Sequence, residues 1–396
     1  MNRGKKQTSA RFRRRIFYIS GFDPRGPAHY HRLYAEEAPK QAAVNGLSID
    51  VGPRVTASDI ESAWRATSAQ AETQYSFLRY DDLIRQRWAR SNWAVLGEIL
   101  RYTFLFLRRG VAHRVLLTSW PTFISMAYPF ALVLLAAIAA LLAGLAVDYF
   151  LGPLAGAAAT AAAFALLVML RAPLEPRINA FWIARILSFI ADRGTESLPD
   201  MDARIDRFAQ RIAESIGMDE ADEVLIVGHS VGTQIAVAAA ARALALVGDR
   251  DTRPSLLTLG HTIPLEALHP KAQRFRAEIM AVARDPRVAW IDVSAAIDSA
   301  CFPLCDPLAA SGLVQPDPAN PKPKIVSARF PKLFRPESYA ILRREFKRAH
   351  FQYLLSAELP GDYDYFLITA GNRTLGERFA HLAGLRNFDR FRLWNS

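Results

Sequence analysis

The chain has 396 residues, 51% of them apolar, with 49 Lys+Arg against 38 Asp+Glu and a formal net charge of +11. That length suits one large domain or two modest ones, and two cysteines, Cys301 and Cys305, are too few for a secreted disulfide framework. The positive balance points to a polyanionic neighbour; the sequence carries no nucleic-acid-binding motif, which leaves an anionic membrane surface. The Cys301-Phe302-Pro303-Leu304-Cys305 spacing has no second ligand pair for zinc, so two reduced structural thiols and no metal are expected.

In chain order, the N-terminus MNRGKKQTSARFRRR is basic, and the apolar run Ile16–Ile19 behind it is too short for a signal-peptide core. It reads as a solvated tail able to touch anionic lipid. Residues 15–22 predict a strand entering the Gly/Pro loop Gly21-Phe22-Asp23-Pro24-Arg25-Gly26. A helix over 29–45 follows, then strands near 48–55 and 75–79. Residues 81–109 have helical period, with aromatics and leucines on one side and arginines on the other, as in a helix lying on a membrane surface.

No charged residue occurs from Val115 to Val147 or from Tyr149 to Leu170. Each stretch reaches the roughly 20 apolar residues of a membrane span, and Trp120, Tyr128, Tyr149 and Phe150 sit at interfacial depths. A helical hairpin is predicted, turning around Asp148 to Pro153, with the Gly152/Gly156 spacing allowing close helix approach. Arg101, Arg108, Arg109 and Arg114 precede it, Arg171, Arg177 and Arg185 follow it, and the turn carries only Asp148. The positive-inside rule places both flanks in the cytoplasm, the expectation being an integral protein of a bacterial inner membrane.

Beyond the hairpin, helices are predicted over 177–192 and 200–216. Strands at 224–228, 255–260, 288–293 and 324–330 alternate with helices at 231–246, 270–284 and 337–358. Such alternation indicates an α/β fold, a mostly parallel sheet with helices on both faces. The chain divides by sequence into 1–110, the hairpin 111–171, and 172–396.

The sharpest chemical signal is Gly228-His229-Ser230-Val231-Gly232. The apolar strand Val224–Val227 runs into it and a helix of small residues, Gln234–Ala240, runs out. A serine on such a strained strand-to-helix turn stands at the top of a sheet, where the N–H of Val231 can meet an oxyanion. On these residues the chain resembles the α/β-hydrolase superfamily of esterases, lipases and amidases over about 15–80 and 220–370, interrupted by the transmembrane hairpin. The resemblance implies Ser230 as nucleophile, then an acid and a histidine in chain order, and an early loop supplying a second oxyanion N–H. That loop is available at Gly21-Phe22-Asp23, with Phe22 as donor.

Asp298, just past the strand Trp290–Val293, is the expected acid; Asp306 remains an alternative, and Asp292 lies inside the strand. Of the histidines after it, His350 shares a helical face with Leu342, Phe346 and Tyr353, and His381 is the fallback. The superfamily places this histidine in a loop after the last strand, whereas His350 is predicted inside a helix. His261 is expected to line a pocket, and His229 need not act as a base. The function expected is hydrolysis of an acyl ester, with a lipid ester as the favoured substrate class, by a Ser-His-Asp triad with no cofactor. The same triad would serve an acyltransferase, and a non-catalytic membrane scaffold is the remaining reading. The expected partners are the bilayer and the ester; oligomeric state is not readable.

Overall fold

The computed structural model describes residues 11–170, 174–218, 220–386 and 390–393. Residues 1–10 of the expected solvated tail 1–15 and the flanking Arg171 lie outside them; the remainder of that tail is not solvated, since Phe12–Arg15 begin the first strand and Arg14 is buried. The chain forms two compact units. The first comprises Met1–Leu83, Pro199–Ile263 and Arg274–Phe388; the second comprises Ile84–Leu198, Pro264–Gln273 and Asp389–Ser396. The second is therefore wider than the apolar stretch 111–171, because it includes helices on both sides of the hairpin.

The first unit is built on a nine-stranded mixed sheet. Its strands are β1 (Phe12–Ile19), β2 (Ile49–Val51), β3 (Val55–Thr56), β4 (Glu61–Ser68), β5 (Ala71–Leu78), β6 (Glu223–His229), β7 (Ser255–Leu259), β8 (Ala289–Ser294) and β9 (Lys324–Ser327). The spatial order is β2-β4-β5-β1-β6-β7-β8-β9, with β3 on β4. From β5 to β9 all neighbours are parallel; β2, β3 and β5 meet β4 antiparallel. The central strands are covered on both faces, which is why Ile16–Ile19 of β1 and Leu225–Val227 of β6 are continuously apolar and buried. One face packs Tyr30, Tyr34 and Ala38 of helix Gly26–Asn45 and Tyr365 and Phe366 of helix Tyr365–Ala370 over the sheet. Helix Gly232–Val247 packs against β6 and β7 and against helix Pro199–Met218.

Chain order and spatial order diverge between β1 and β6. After β1 the chain crosses to the edge at β2 and fills the β5 side inward through β4 to β5; after β6 it builds outward on the β7 side. The carboxyl ends of β1 and β6 thus flank a topological switch point, where open α/β sheets leave a crevice.

At the opposite end, Arg14 and Glu223 form an ion pair across β1 and β6, with Nε–Oε2 at 2.6 Å and both side chains almost fully buried. Arg14 also donates to the carbonyls of Gly371 (2.7 Å) and Arg373 (2.5 Å). Glu223 Oε1 accepts from Ser255 Oγ (2.7 Å) and Leu375 N (2.6 Å).

Several elements depart from the sequence reading. Strand β4 was not predicted, because Glu61 and Arg65 interrupt its apolar signal. In the fold Glu61 is buried but meets Arg211 (2.7 Å) and Ser76 (2.5 Å), while Trp64 stacks on Tyr75 at 4.3 Å. The single helix expected over 337–358 is broken at the polar run Arg343–Glu345 into Pro336–Leu342, Phe346–Phe351 and a 3₁₀ turn Gln352–Leu354.

The second unit holds two helices long and apolar enough to cross a membrane, Trp120–Leu151 (mean hydropathy 2.8) and Pro153–Leu170 (mean hydropathy 2.0). Gly152 joins them at φ +83°, a conformation that disfavours a side chain. The close approach involves Gly156 and Gly144, not Gly152. A Cβ on Gly144 would lie 2.7 Å from the Gly156 carbonyl and collide with Thr160; one on Gly156 would lie 2.9 Å from the Gly144 carbonyl. Helix Asn92–Arg108, expected to be continuous from 81, begins after a break at residues 87–91.

Glu223→Ala should destabilise the first unit strongly, by about 3–5 kcal/mol, because it strands a buried guanidinium. Denaturant unfolding in detergent, compared with wild type, measures it; a loss of less than a kcal/mol, within the range of exposed pairs, would show that the pair is not structural.

Candidate active site

Ser230 follows β6 directly and has φ +58°. A non-glycine residue there stores on the order of 1–3 kcal/mol of strain, held by its surroundings. Ser230 N donates to Leu259 O (2.9 Å), and Ser230 O accepts from Thr233 N (3.0 Å) and Thr233 Oγ1 (2.6 Å). The flanking glycines let backbone pass backbone. A Cβ on Gly228 would lie 2.6 Å from Gly232 O and 2.7 Å from Thr233 Cα; one on Gly232 would strike the carbonyls of Ile19 and Ser20. The turn is thereby wedged against the end of β1.

The loop after β1 lies on the other side of the crevice. A Cβ on Gly21 would stand 3.0 Å from Ser230 Cβ and 3.3 Å from its Oγ, so this loop borders the serine. Tyr80 Oη fixes it by donating to the carbonyls of Ser20 (2.7 Å) and Gly21 (2.8 Å). Asp23 braces the next residues, accepting from Arg25 N (3.0 Å) and Tyr30 Oη (2.9 Å). Phe22, buried, is the next residue of this braced loop after Gly21. Val231 N–H precedes helix Gly232–Val247 and has no hydrogen-bond acceptor among the described residues, as the first amides of a helix lack intrahelical partners.

Asp298 and His350 are brought together. His350 Nδ1 lies 2.9 Å from Oδ2 and 3.0 Å from Oδ1 of Asp298, with both side chains essentially inaccessible. Tyr353 Oη donates to Asp298 Oδ2 (2.9 Å) and Ala300 N to Oδ1 (3.1 Å). Burial pushes the Asp298 carboxyl up, but His350, foremost among its partners, outweighs that and holds it below the ordinary carboxylate range. His350 comes after β9, the last strand, at the end of the short helix Phe346–Phe351. A cleft of about 280 Å³, lined by Ala295, Ile297, Arg329, Phe330 and Tyr339 among others, borders the Asp298 loop.

His229, the serine's neighbour, links the two halves. Its Nε2 lies 2.9 Å from the carbonyl oxygen of His350, and the two rings stand 5.0 Å apart. Donating to that carbonyl requires the Nε2–H tautomer. Burial first, and then His350, depress its pKa to about 3, so the ring is neutral at physiological pH.

The alternatives separate clearly. Asp306 is a helix cap: it accepts from Leu308 N (2.8 Å) and from Gln315 Nε2 (2.9 Å). His381 has a side chain 59% exposed and faces Asp362 at 3.4 Å. His261 is buried rather than lining a described cleft; its Nε2 lies 3.2 Å from Cys305 O and 3.9 Å from Asp292 Oδ2. Cys301 and Cys305 are buried and form no disulfide, and Cys301 Sγ donates to Asp298 O (3.3 Å). The sequence reading missed Tyr353 and Tyr80 as supports and His229 as a tether. The only sequence signal for Tyr353 is its position three residues past His350 on a shared face.

Comparison with family models, with curated proteins and with solved structures finds no match to this chain.

Asp292 is fully buried in β8 and accepts at Oδ1 from Thr258 Oγ1 (2.6 Å), whereas its Oδ2 has no hydrogen-bond partner among the described residues, His261 Nε2 standing 3.9 Å away. Burial raises its pKa from 3.8 to about 8. The folded state then binds this proton over a range where the unfolded state has released it, so stability should fall as pH rises from about 4 to about 8. Asp292→Asn should remove this contribution. Its gain in melting temperature over wild type should be larger at pH 8.5 than at pH 5; an equal gain at both would refute it.

Proposed function

We propose that this chain is a membrane-anchored serine hydrolase of the α/β-hydrolase type, cleaving an acyl ester through Ser230, His350 and Asp298. The observation that carries the reading is the buried Asp298–His350 pair on the same sheet edge as a strained, glycine-flanked serine. The order of parts along the sheet also supports it: serine after β6, acid after β8, histidine after the last strand. His350 lies on a short helix after the last strand, not inside a long one.

In this mechanism Ser230 Oγ attacks the acyl carbonyl while His350 Nε2 takes its proton, Nδ1 being committed to Asp298. The carbonyl oxygen becomes an oxyanion, met by the N–H groups of Val231 and Phe22. Collapse breaks the ester bond, and His350 returns the proton to the leaving alcohol. Water, deprotonated by His350, then releases the acid and restores Ser230. Asp298 stays ionised throughout, orienting the imidazole and stabilising its positive form.

The anchor is the hairpin, and the arginine-rich flanks facing a turn with only Asp148 orient both ends to the cytoplasm. An enzyme held at a bilayer meets membrane-partitioned substrates at high local concentration, so the substrate class proposed is a long-chain acyl lipid.

Ser230→Ala should abolish labelling by a fluorophosphonate probe without loss of membrane insertion, and His350→Ala should lower turnover by about 10³-fold or more. Persistent labelling of the alanine variant, or a severe effect of His381→Ala with a mild one of His350→Ala, refutes the triad. On purified enzyme, long-chain lipid esters with anionic liposomes should give a higher kcat/KM than short soluble esters; no gain refutes the lipid substrate.

His229 enters as a positioning residue. His229→Phe keeps a ring but loses the donor to His350, and misplacement of a base costs on the order of 10²-fold in kcat. The expectation is that fall with KM unchanged and partial rescue by His229→Gln; a kcat equal to wild type in the phenylalanine variant would show the tether to be idle.

A further inference from the structure

Helix Asn92–Arg108 has two apolar faces. Its inner face buries Val95, Leu96, Ile99, Tyr102 and Phe106, packing on helix Ala180–Arg193 within the second unit. That arrangement corrects the simple division into an apolar and an arginine side. The outer face is a stripe at helical spacing in which Trp93, Leu100, Phe104 and Leu107 are 58%, 55%, 59% and 65% exposed. A soluble helix would carry polar side chains there.

We propose that this outer stripe lies in the headgroup–acyl boundary of an anionic bilayer, making the helix a second membrane-contacting element beside the hairpin. The inference rests on the reading of the hairpin as a membrane anchor. The helix is about 26 Å long and carries Glu98 and Arg101, so it suits the interface and not a span. Trp93 supplies the ring type favoured at that depth. The charges favour anionic lipid over a second copy of the chain. Arg101 is occupied by Asp192 (2.6 Å) and Ser188 (2.5 Å), but Arg108 is exposed and stands over the Phe104 ring at 5.9 Å. His113 and Arg114, also exposed, follow, and the sequence has no Asp or Glu between Glu98 and Asp148. A second copy's stripe would bring Arg108 a single acidic residue, the half-buried Glu98, whereas lipid phosphates offer an anion at every position.

The test uses the full chain reconstituted in vesicles of phosphatidylcholine with and without phosphatidylglycerol. A nitroxide is placed at Phe104→Cys or Leu107→Cys, with Leu246→Cys as the aqueous control and Leu142→Cys as the hairpin control. Cys301 and Cys305 are buried, and the chain without an added cysteine gives the background. The expected result is that labels at 104 and 107 are relaxed by oxygen and shielded from an aqueous nickel chelate, at a depth of roughly 5–10 Å. Phosphatidylglycerol should deepen them, and Arg108→Gln should reverse that gain. Nickel access at 104 equal to that at 246 overturns the proposal. Spin–spin broadening at 104 that grows with protein-to-lipid ratio, with no dependence on phosphatidylglycerol, assigns the stripe to a second copy and also overturns it. Nickel access at 142 is the separate sign that the hairpin reading has failed.

Discussion

The buried pair Arg14–Glu223 is the constraint on which the first unit depends. Its residues are 209 positions apart, on adjacent central strands. The three chain segments of the unit meet at this point. Arg14 comes from the first and Glu223 from the second. The third adds the Gly371 and Arg373 carbonyls and the Leu375 amide, and Ser255 completes the set. Burying two charges costs several kcal/mol per ion, and only full hydrogen bonding offsets that. A misregistered β1 or β6 would leave one charge unmatched, so the pair discriminates among strand alignments even where its net stabilisation is small. The apolar Ile16–Ile19 and Leu225–Val227 then fall side by side, and their carboxyl ends emerge together.

At that opposite edge the same alignment decides the chemistry available. Gly232 presses against the Ile19 and Ser20 carbonyls, so the turn that carries Ser230 is fixed by β1 as much as by β6. The electrostatics separate the buried titratable groups into distinct states. His229 is driven neutral by burial, Asp292 is driven protonated, and Asp298 remains a carboxylate because His350 faces it. One low-dielectric environment thus yields two silent groups and one charged one, and the difference is that the Asp298 carboxylate alone is hydrogen-bonded to an imidazole. A Ser-His-Asp hydrolysis needs that distribution: a single anion behind the imidazole, with no competing charge beside it.

The two units solve different solvent problems. The sheet unit encloses its aromatics, among them Tyr18, Tyr34, Trp64, Tyr75 and Phe77. The hairpin unit leaves Leu135, Leu142, Phe150 and Leu154 exposed along helices that pack through glycine and threonine. Helices held together by small residues, with large apolar side chains turned outward, have the character of association in lipid, where burying apolar area brings helices no advantage over the tails.

Local patterns were legible without coordinates. The two uncharged stretches, most of the alternation of apolar runs with helical periods after residue 200, and the strand–GHSVG–helix sequence each depend on neighbours within a few residues and correspond to elements near their expected bounds, the broken helix over 337–358 being the exception. Strand β4 was not legible, because Glu61 is tolerable only once Arg211 and Ser76 reach it from distant positions. Position along the chain favoured Asp298 over Asp306 without excluding the latter; the fold uses Asp306 as a helix cap and sets Asp298 against His350. His381, the fallback to His350, is left exposed while His350 is buried. The two-sided character of helix Asn92–Arg108 had the same origin, since period alone says which residues share a face and not which face the protein covers. The sequence by itself determined the elements and the chemical types on offer, since propensity, hydropathy and turn geometry are short-range. Tertiary structure decided partners, because burial and pairing across hundreds of residues exist only after the sheet has closed in one register.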